Sequence, residues 1–319
     1  MDFSLPSDLE AIRRRVRAFV EEHVLPLEED PEAYDDHENI RLDVLRQTQD
    51  KARAAGLWSP QVSRERGGMG LSMVGRAVMY EEANRSIFGP VCFNAAAPDD
   101  GNMVLLGLVG TPAQQDRFLQ PIADGKVRSA FVMTEPAPGG GSDPTMINTR
   151  AERVGDRYRI HGKKWFITGA GVADHFILVA RTSDDPRRGL TAFLYERDQP
   201  GWRIDRRIPI MGPEEHGGHC EITFDGLEIP DQHVLMGVGD GFKATQIRLG
   251  PARLTHCMRW LGLSKRCLEI ADAYVKERTG FGIRLADRES VQMLLGEAAQ
   301  RIEIGRLLVM KAAWTLDQG

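Results

Sequence analysis

Residues 131–149, FVMTEPAPGGGSDPTMINT, decide how the chain is read. An apolar segment runs through Thr134-Glu135-Pro136 into Gly139, Gly140 and Gly141, with Ser142 and Asp143 next. Glycine runs free the backbone for positive φ and let it approach a ligand, as in loops that cradle phosphates. A dinucleotide fingerprint or P-loop also needs a helix directly after the glycines, its N-terminus on the phosphates. Pro144 and the alternating residues after it predict a strand instead, which disfavours a doubly wound nucleotide fold. Two readings stay open at this point. One is a glycine-rich surface loop between strands; the other is a platform whose amides, with the Thr134 and Ser142 hydroxyls, bond a planar heterocycle and phosphates.

Working outward, the period is two on the C-terminal side. RAERVGDRYRIHGKKWFIT predicts strands broken at Gly155-Asp156 and at His161-Gly162, followed by strands in HFILVAR, TAFLYER, GWRIDR and CEITFDGLEIP. Residues 127–238 are therefore expected to form a compact, mostly antiparallel β domain. On the other side, residues 1–126 read as a helical domain. Leu9, Ile12, Val16, Phe19 and Val20 recur at helical steps, with Ser7 placed to cap them. Further helices are predicted over 42–55, 72–84 and 103–109, and another starts with Thr111 as N-cap and Pro112 at the first helical position. Residues 239–319 predict two long antiparallel helices joined around ERTGFGIRL, a third, helical domain. The second helix stops at Gly319 with an apolar face uncovered, so the expectation is a natural protein that continues beyond it. The class is α+β.

A chain of 319 residues, 42% apolar and 27% charged, is ordinary for a globular protein with a sizeable core. The net charge of -5, without long blocks of one sign, argues against a nucleic-acid partner. Cys92, Cys220, Cys257 and Cys267 lack CxxC spacing, which signals neither a disulfide framework nor a zinc site. The start, MDFSLPSDLEAIRRR, turns charged before an apolar core of signal length develops, and no run reaches a membrane span. A cytoplasmic location is expected.

Several clusters could carry chemistry. Glu214-Glu215-His216-Gly217-Gly218-His219-Cys220 superficially resembles a metal site, but it matches neither HExxH nor paired CxxC. A structural turn with one histidine facing a pocket is favoured, and no metal is expected. His256 and Cys257, in an apolar helical stretch, read as core packing before they read as a nucleophile pair. Trp165-Phe166-Ile167-Thr168 closes a strand with an aromatic pair; in one β unit with the glycine loop it could serve a flavin. Arg253 and Arg278 taken alone read as solvated charges.

GTPAQQDRFLQPIADG, AFVMTEP with the following GSD, GDRYRIHGKKWFITGAGVADHFILVART, RLGPAR and KERTGFG occur in this order in the matching structural blocks. Together they resemble the acyl-CoA dehydrogenase family along essentially the whole chain. FNAAAPDDGNM, HGGHCEITFDGLEIP and RLGPARLTHCMRWLGL look closest to the branch fused in animals to a phosphotransferase-like domain and linked to longer acyl-CoA substrates.

The resemblance implies an N-terminal helical domain, a middle β domain and a C-terminal four-helix bundle, with FAD and acyl-CoA between them. It assigns Phe131, Met133 and Thr134 to the flavin ring, Thr168 to the neighbourhood of its reactive N5, and Phe166 to the place of the family's usual tryptophan. Gly141 and Ser142 would meet FAD phosphate or the pantetheine arm of the substrate. Arg278 and Phe281 would reach the FAD of a neighbouring subunit, implying a homodimer or homotetramer. Gly250 and Arg253 would lie near the bound thioester chain. The implied reaction is α,β-dehydrogenation to a trans-2-enoyl-CoA, with electrons passed to an electron-transfer flavoprotein.

Two departures stand out. Five residues separate TEP from SD, more than the family's common spacing. The catalytic base is the other: the family takes it from the last helical segment or from a glutamate just before the arginine matching Arg253, and here that position is Ala252. The base is therefore expected beyond Gly319. An acyl-CoA oxidase or flavin monooxygenase on the same fold, and a scaffold without a base, are the competing readings.

Overall fold

The computed structural model describes residues 4–141, 143–185 and 188–318. Helix α1 (Ser7–Phe19) runs through a π turn at Val20–Val24 into Leu25–Glu28. Its cap differs from expectation. Pro6 stands at the N-cap with φ -50° and ψ 145°, no side chain caps the helix, and Ser7 is already helical. Proline's fixed φ sets the entry, and the Pro6 carbonyl accepts from Glu10 N–H at 2.9 Å.

Helices α2 (Leu42–Ala54), α3 (Met73–Ala83) and α4 (Asp99–Val109) complete the long N-terminal helices. Ser72 caps α3 through Gly75 N–H, and Thr111 with Gln114 closes a full capping box on the turn at Pro112–Gln114. α4 begins at Asp99, earlier than the apolar period indicates, because its first turn is built from buried acids rather than apolar residues.

Strands β1 (Arg128–Val132), β2 (Arg150–Val154), β3 (Arg157–Thr168), β4 (Ala173–Arg181), β5 (Leu190–Glu196), β6 (Trp202–Ile208), β7 (His219–Pro230) and β8 (Val234–Leu235) form one sheet among the described residues, in the order β6-β7-β3-β2-β4-β5-β8. The pairing is mostly antiparallel. Two exceptions are parallel: β1 lies along β4, and β2 touches β4 at Arg150↔Arg181. β3 does not break at His161-Gly162; it runs on through Gly162 with register shifts against β7 at Ile160/His161 and Lys164/Ile167. Bulges absorb what the sequence signals as a turn, because both halves pair with the same strand.

Two long helices follow, α5 (Gly241–Glu277) and α6 (Glu289–Asp317), joined by a short hairpin at Thr279–Gly280 and Ile283–Arg284. Leu105 and Leu106 of α4, Ile177 of β4, Leu194 of β5 and Ala244 of α5 share one buried cluster, so helices and sheet are joined where α4 and α5 pack on β4 and β5. Met258 of α5 with Val309 and Ala313 of α6 reach into the N-terminal helical core.

Candidate functional site

The site forms where β1 runs into the glycine loop beside the far end of β3. Lys164 is fully buried; its Nζ donates to the Met133 carbonyl at 2.7 Å and pairs with Glu135 Oε1 at 2.9 Å. The Glu135 carboxylate also accepts from the N–H groups of Asn148 (2.7 Å) and Thr149 (2.9 Å). Burial alone would raise this carboxyl, but the Lys164 charge and those bonds hold it below its ordinary range. Burial pulls the Lys164 ammonium down to about 8, against the attraction of Glu135. The Trp165 N–H donates to the Thr134 carbonyl at 3.0 Å, so β3 grips the segment 133–135 from two residues in succession.

The glycines act differently from expectation. None of Gly139, Gly140 and Gly141 has positive φ. Gly139 is required by close approach: a Cβ there would stand 2.3 Å from Glu135 Oε2. A Cβ on Gly141 would meet open space. Ser142 lies outside the described residues. The loop is thus shaped by the carboxylate behind it, with only its exposed tip free for a ligand.

At the register shift, Phe166 takes φ +51°, its ring 45% exposed and T-shaped on Trp165 with centroids 4.8 Å apart. Left-handed backbone on a bulky residue costs energy that the surrounding pairing must offset. Its consequence is geometric: Ile167 points into the core, while Phe166 is presented outward beside Thr168. Thr134 completes this edge, its N–H without a backbone partner among the described residues. An exposed ring, an unspent amide and hydroxyl groups on one edge fit a flat heterocycle with acceptor atoms.

The Thr168 Oγ1 lies 2.9 Å from Nδ1 of His219, its register partner on β7, and His219 Nε2 lies 3.0 Å from a Glu215 carboxylate oxygen. Residues 214–218 form a turn that leads into β7, where His219 and Cys220 already pair; Gly217 (φ +81°) and Gly218 (φ +59°) allow it. His216 bonds the Ile40 carbonyl at 2.7 Å and lines a cavity of about 440 Å³ between α5 and the sheet. Arg128, Glu215, His256, Arg259 and Leu263 also line it. Contrary to expectation, Cys257 is exposed and His256 turns toward this cavity, since the apolar face of α5 near them is carried by Met258 and Leu261.

Sequence reasoning missed a polar network at the junction. The Tyr80 hydroxyl (2.9 Å) and Arg259 (3.2 Å) bond Asp100; Arg248 bonds Asn102 at 2.8 Å, and Asn102 donates to the Ser129 hydroxyl at 2.9 Å. Asp99 accepts from Ser129 N–H at 2.7 Å and pairs with Arg128. The Arg248 guanidinium also lies 4.2 Å from the ring centroid of Phe131, and burial pulls its pKa down to about 10 despite Asp100 and Asp99. Adjacent aspartates opening an apolar helix were the one available signal.

The structure brings Phe131, Met133, Thr134, Phe166 and Thr168 to one edge. Gly250 and Arg253 lie exposed on α5 beside Pro251. Arg278 and Phe281 are elsewhere. At the helical rise, the thirty residues from Arg248 to Arg278 span about 45 Å, and Phe281 projects fully into solvent. They do not meet the Phe131–Thr168 edge of their own chain. Among the described residues, no group of three or more His, Cys, Asp or Glu could hold a metal.

The N-terminal, middle and C-terminal domains of acyl-CoA dehydrogenases match residues 6–126, 130–227 and 239–319 in turn. The chain belongs to the acyl-CoA dehydrogenase family. It is 37% identical to FadE2 of Mycobacterium tuberculosis, named a probable acyl-CoA dehydrogenase, over all of this chain and 79% of that protein. It is 35% identical to acyl-CoA dehydrogenase family member 11 of Gallus gallus, over 95% of this chain but 40% of that protein. Butyryl-CoA dehydrogenase from Megasphaera elsdenii superposes with a TM-score of 0.84 at 27% identity, over 100% of this chain and 82% of the other. The FAD complex of PigA does so at 0.86 and 27%, over 100% and 81%. The acyl-CoA dehydrogenase fold and its oxidoreductase class are thereby established for this chain.

Proposed function

We propose that the protein is a FAD-dependent dehydrogenase that converts an acyl-CoA thioester, of medium to long chain, to its trans-2-enoyl-CoA. The observation that carries this reading is the shared edge of Phe131, Met133, Thr134, Phe166 and Thr168, where the Trp165 N–H holds the Thr134 carbonyl at 3.0 Å and Phe166 stands exposed. If bound there, FAD would supply the acceptor for the hydride leaving the substrate β-carbon, while a carboxylate base takes the α-proton. Phe166 would pack on the ring, the Thr134 amide and hydroxyl would bond its polar rim, and Thr168 would stand at its reactive nitrogen. Gly141 and Ser142 would contact phosphate or the pantetheine arm. Gly250 and Arg253, on α5 ahead of the cavity-lining His256 and Arg259, guide the thioester chain. Apolar cavity residues such as Ala96 and Leu263 raise the worth of hydrogen bonds to the thioester carbonyl.

The distance from Arg248 to Arg278, about 45 Å along α5, supports a role for Arg278 and Phe281 at the flavin of a second subunit, in a homodimer or homotetramer. Reduced cofactor passes its electrons to an electron-transfer flavoprotein. No described helix is long and apolar enough to cross a membrane, and the free state of Cys92, Cys220, Cys257 and Cys267 supports the cytoplasm as the location.

Ala252, half-buried on α5 with no proton acceptor, favours the second reading, a flavin-binding scaffold. One experiment separates these. Purified protein is mixed anaerobically with a panel of acyl-CoA thioesters while the flavin absorbance is followed. Bleaching with slow return in air is expected; bound FAD that no thioester bleaches points to the scaffold, and rapid peroxide release to an oxidase or monooxygenase.

A further inference from the structure

The proposed reaction leaves the turn that follows β6 unused, yet this turn is built closely onto the reacting edge. Gly218 N–H closes it on the Glu215 carbonyl at 2.8 Å, and Gly169 N–H, next to Thr168, donates to the Gly218 carbonyl at 2.7 Å. A Cβ on Gly218 would displace the Arg207 side chain, and the φ of +59° favours glycine there. Its result is a chain of three side chains: the Glu215 carboxylate at 3.0 Å from His219 Nε2, and His219 Nδ1 at 2.9 Å from Thr168 Oγ1. The His219 side chain is only 15% exposed. Glu215 also lines the cavity of about 440 Å³.

We propose that Glu215 and His219 are a positioning pair that sets the direction of the Thr168 hydroxyl at the flavin, an inference that rests on the placement of Thr168 at the reactive nitrogen. The chemistry of that nitrogen makes demands on its neighbour. In the oxidised ring it accepts a hydrogen bond; once it has taken the hydride from the substrate β-carbon it carries N–H and donates one. With Nε2–H held on the Glu215 carboxylate, Nδ1 of the ring accepts, so the Thr168 O–H donates to it and the hydroxyl turns its lone pairs toward the flavin nitrogen. Glu215 thereby fixes the ring so that the hydroxyl accepts from the N–H of the reduced flavin and offers no bond to the oxidised one, which favours the reduced state.

The test uses FAD-loaded protein and four variants: Thr168→Val, His219→Leu, His219→Asn and Glu215→Gln. The readout is the ratio of reduced to oxidised flavin at equilibrium with a reference dye, together with the amount of FAD retained. Thr168→Val and His219→Leu should each lower the ratio of reduced to oxidised flavin by about tenfold, the worth of the one hydrogen bond made only to the reduced state. His219→Asn, whose amide sits where Nδ1 stood, should recover most of the shift, and Glu215→Gln should fall between. A shift in Thr168→Val with none in His219→Leu overturns the positioning pair and leaves the flavin placement intact. No shift in Thr168→Val overturns the placement itself, and the pair with it. Should His219→Leu lose its FAD, parent-like ratios in both His219→Asn and Glu215→Gln with a shifted Thr168→Val overturn the pair equally.

Discussion

Strands β4 and β5 are buried from Phe176 to Ala180 and from Leu190 to Tyr195, whereas α5 and α6 leave Trp260, Leu294, Leu308 and Trp314 more than half exposed. Both regions are apolar by sequence. The sheet covers itself: its two faces meet the cluster around Phe193 and Tyr195 on one side and α4 with α5 on the other. The helix pair is instead attached at a few points. Met258, Val309 and Ala313 supply the apolar anchor, Arg306 pairs with Glu81 at 2.6 Å, and Lys265 with Glu82 at 2.9 Å. Asp317 reaches across to cap α3, accepting from the N–H groups of Met73 (2.7 Å) and Val74 (2.9 Å). The difference teaches that the fully buried part of the molecule lies under the Phe131–Thr168 edge, while the helix pair offers an apolar surface that the described residues do not cover.

The strongest way to break this comparison is through the buried pair under the edge. Lys164→Met should destabilise the protein by about 3–5 kcal/mol, the cost of leaving one buried charge alone, read by chemical denaturation. Lys164→Met combined with Glu135→Leu should recover much of that loss, since an apolar pair carries no stranded charge. The same pair predicts the acid limit. The folded pKa of Glu135 is depressed below its unfolded value of 4.5, so its contribution is present above that pH and lost as pH falls through the folded value. In Glu135→Gln, stability should be lower at neutral pH and depend less on pH in this acid window.

The glycine loop sharpens the comparison on a finer scale. Gly139→Ala should cost about 1–3 kcal/mol through overpacking against Glu135, while Gly141→Ala should be close to neutral; thermal unfolding of both variants checks the contrast. On the helix pair, Asp317→Ala should cost about 1 kcal/mol, the usual worth of a helix cap. Leu308→Gln should change the stability of the single chain by no more than about 0.5 kcal/mol. A loss of several kcal/mol there, growing with protein concentration, would show the face covered in an assembly.

Much of this was legible in advance. The shift from helical to two-residue period placed the three structural blocks, and Thr111 with Pro112 marked a capped helix start that the structure contains. The missing helix after Gly141 excluded a nucleotide P-loop on local grounds alone. Errors arose where a residue's partner is remote in sequence. His161-Gly162 carries a turn signal, yet both sides pair with β7, so the strand continues. The glycine run signals positive φ, yet Gly139 is there to make room for a carboxylate. Asp99 and Asp100 precede the helix predicted over 103–109, yet Ser129, Arg128, Tyr80 and Arg259 hold them inside its buried first turn.

The sequence by itself determined the order of helix, sheet and helix, the motifs at residues 131–134 and 166–168, and the family, because each rests on local period or on residues adjacent in the chain. Only the tertiary structure decided that Lys164 and Glu135 hold the Phe131–Thr168 edge, that Thr168 meets His219 across two strands, and that Arg278 and Phe281 lie far from that edge of their own chain. Those facts depend on register and on the length of a straight helix, and neither is written in any short stretch of residues.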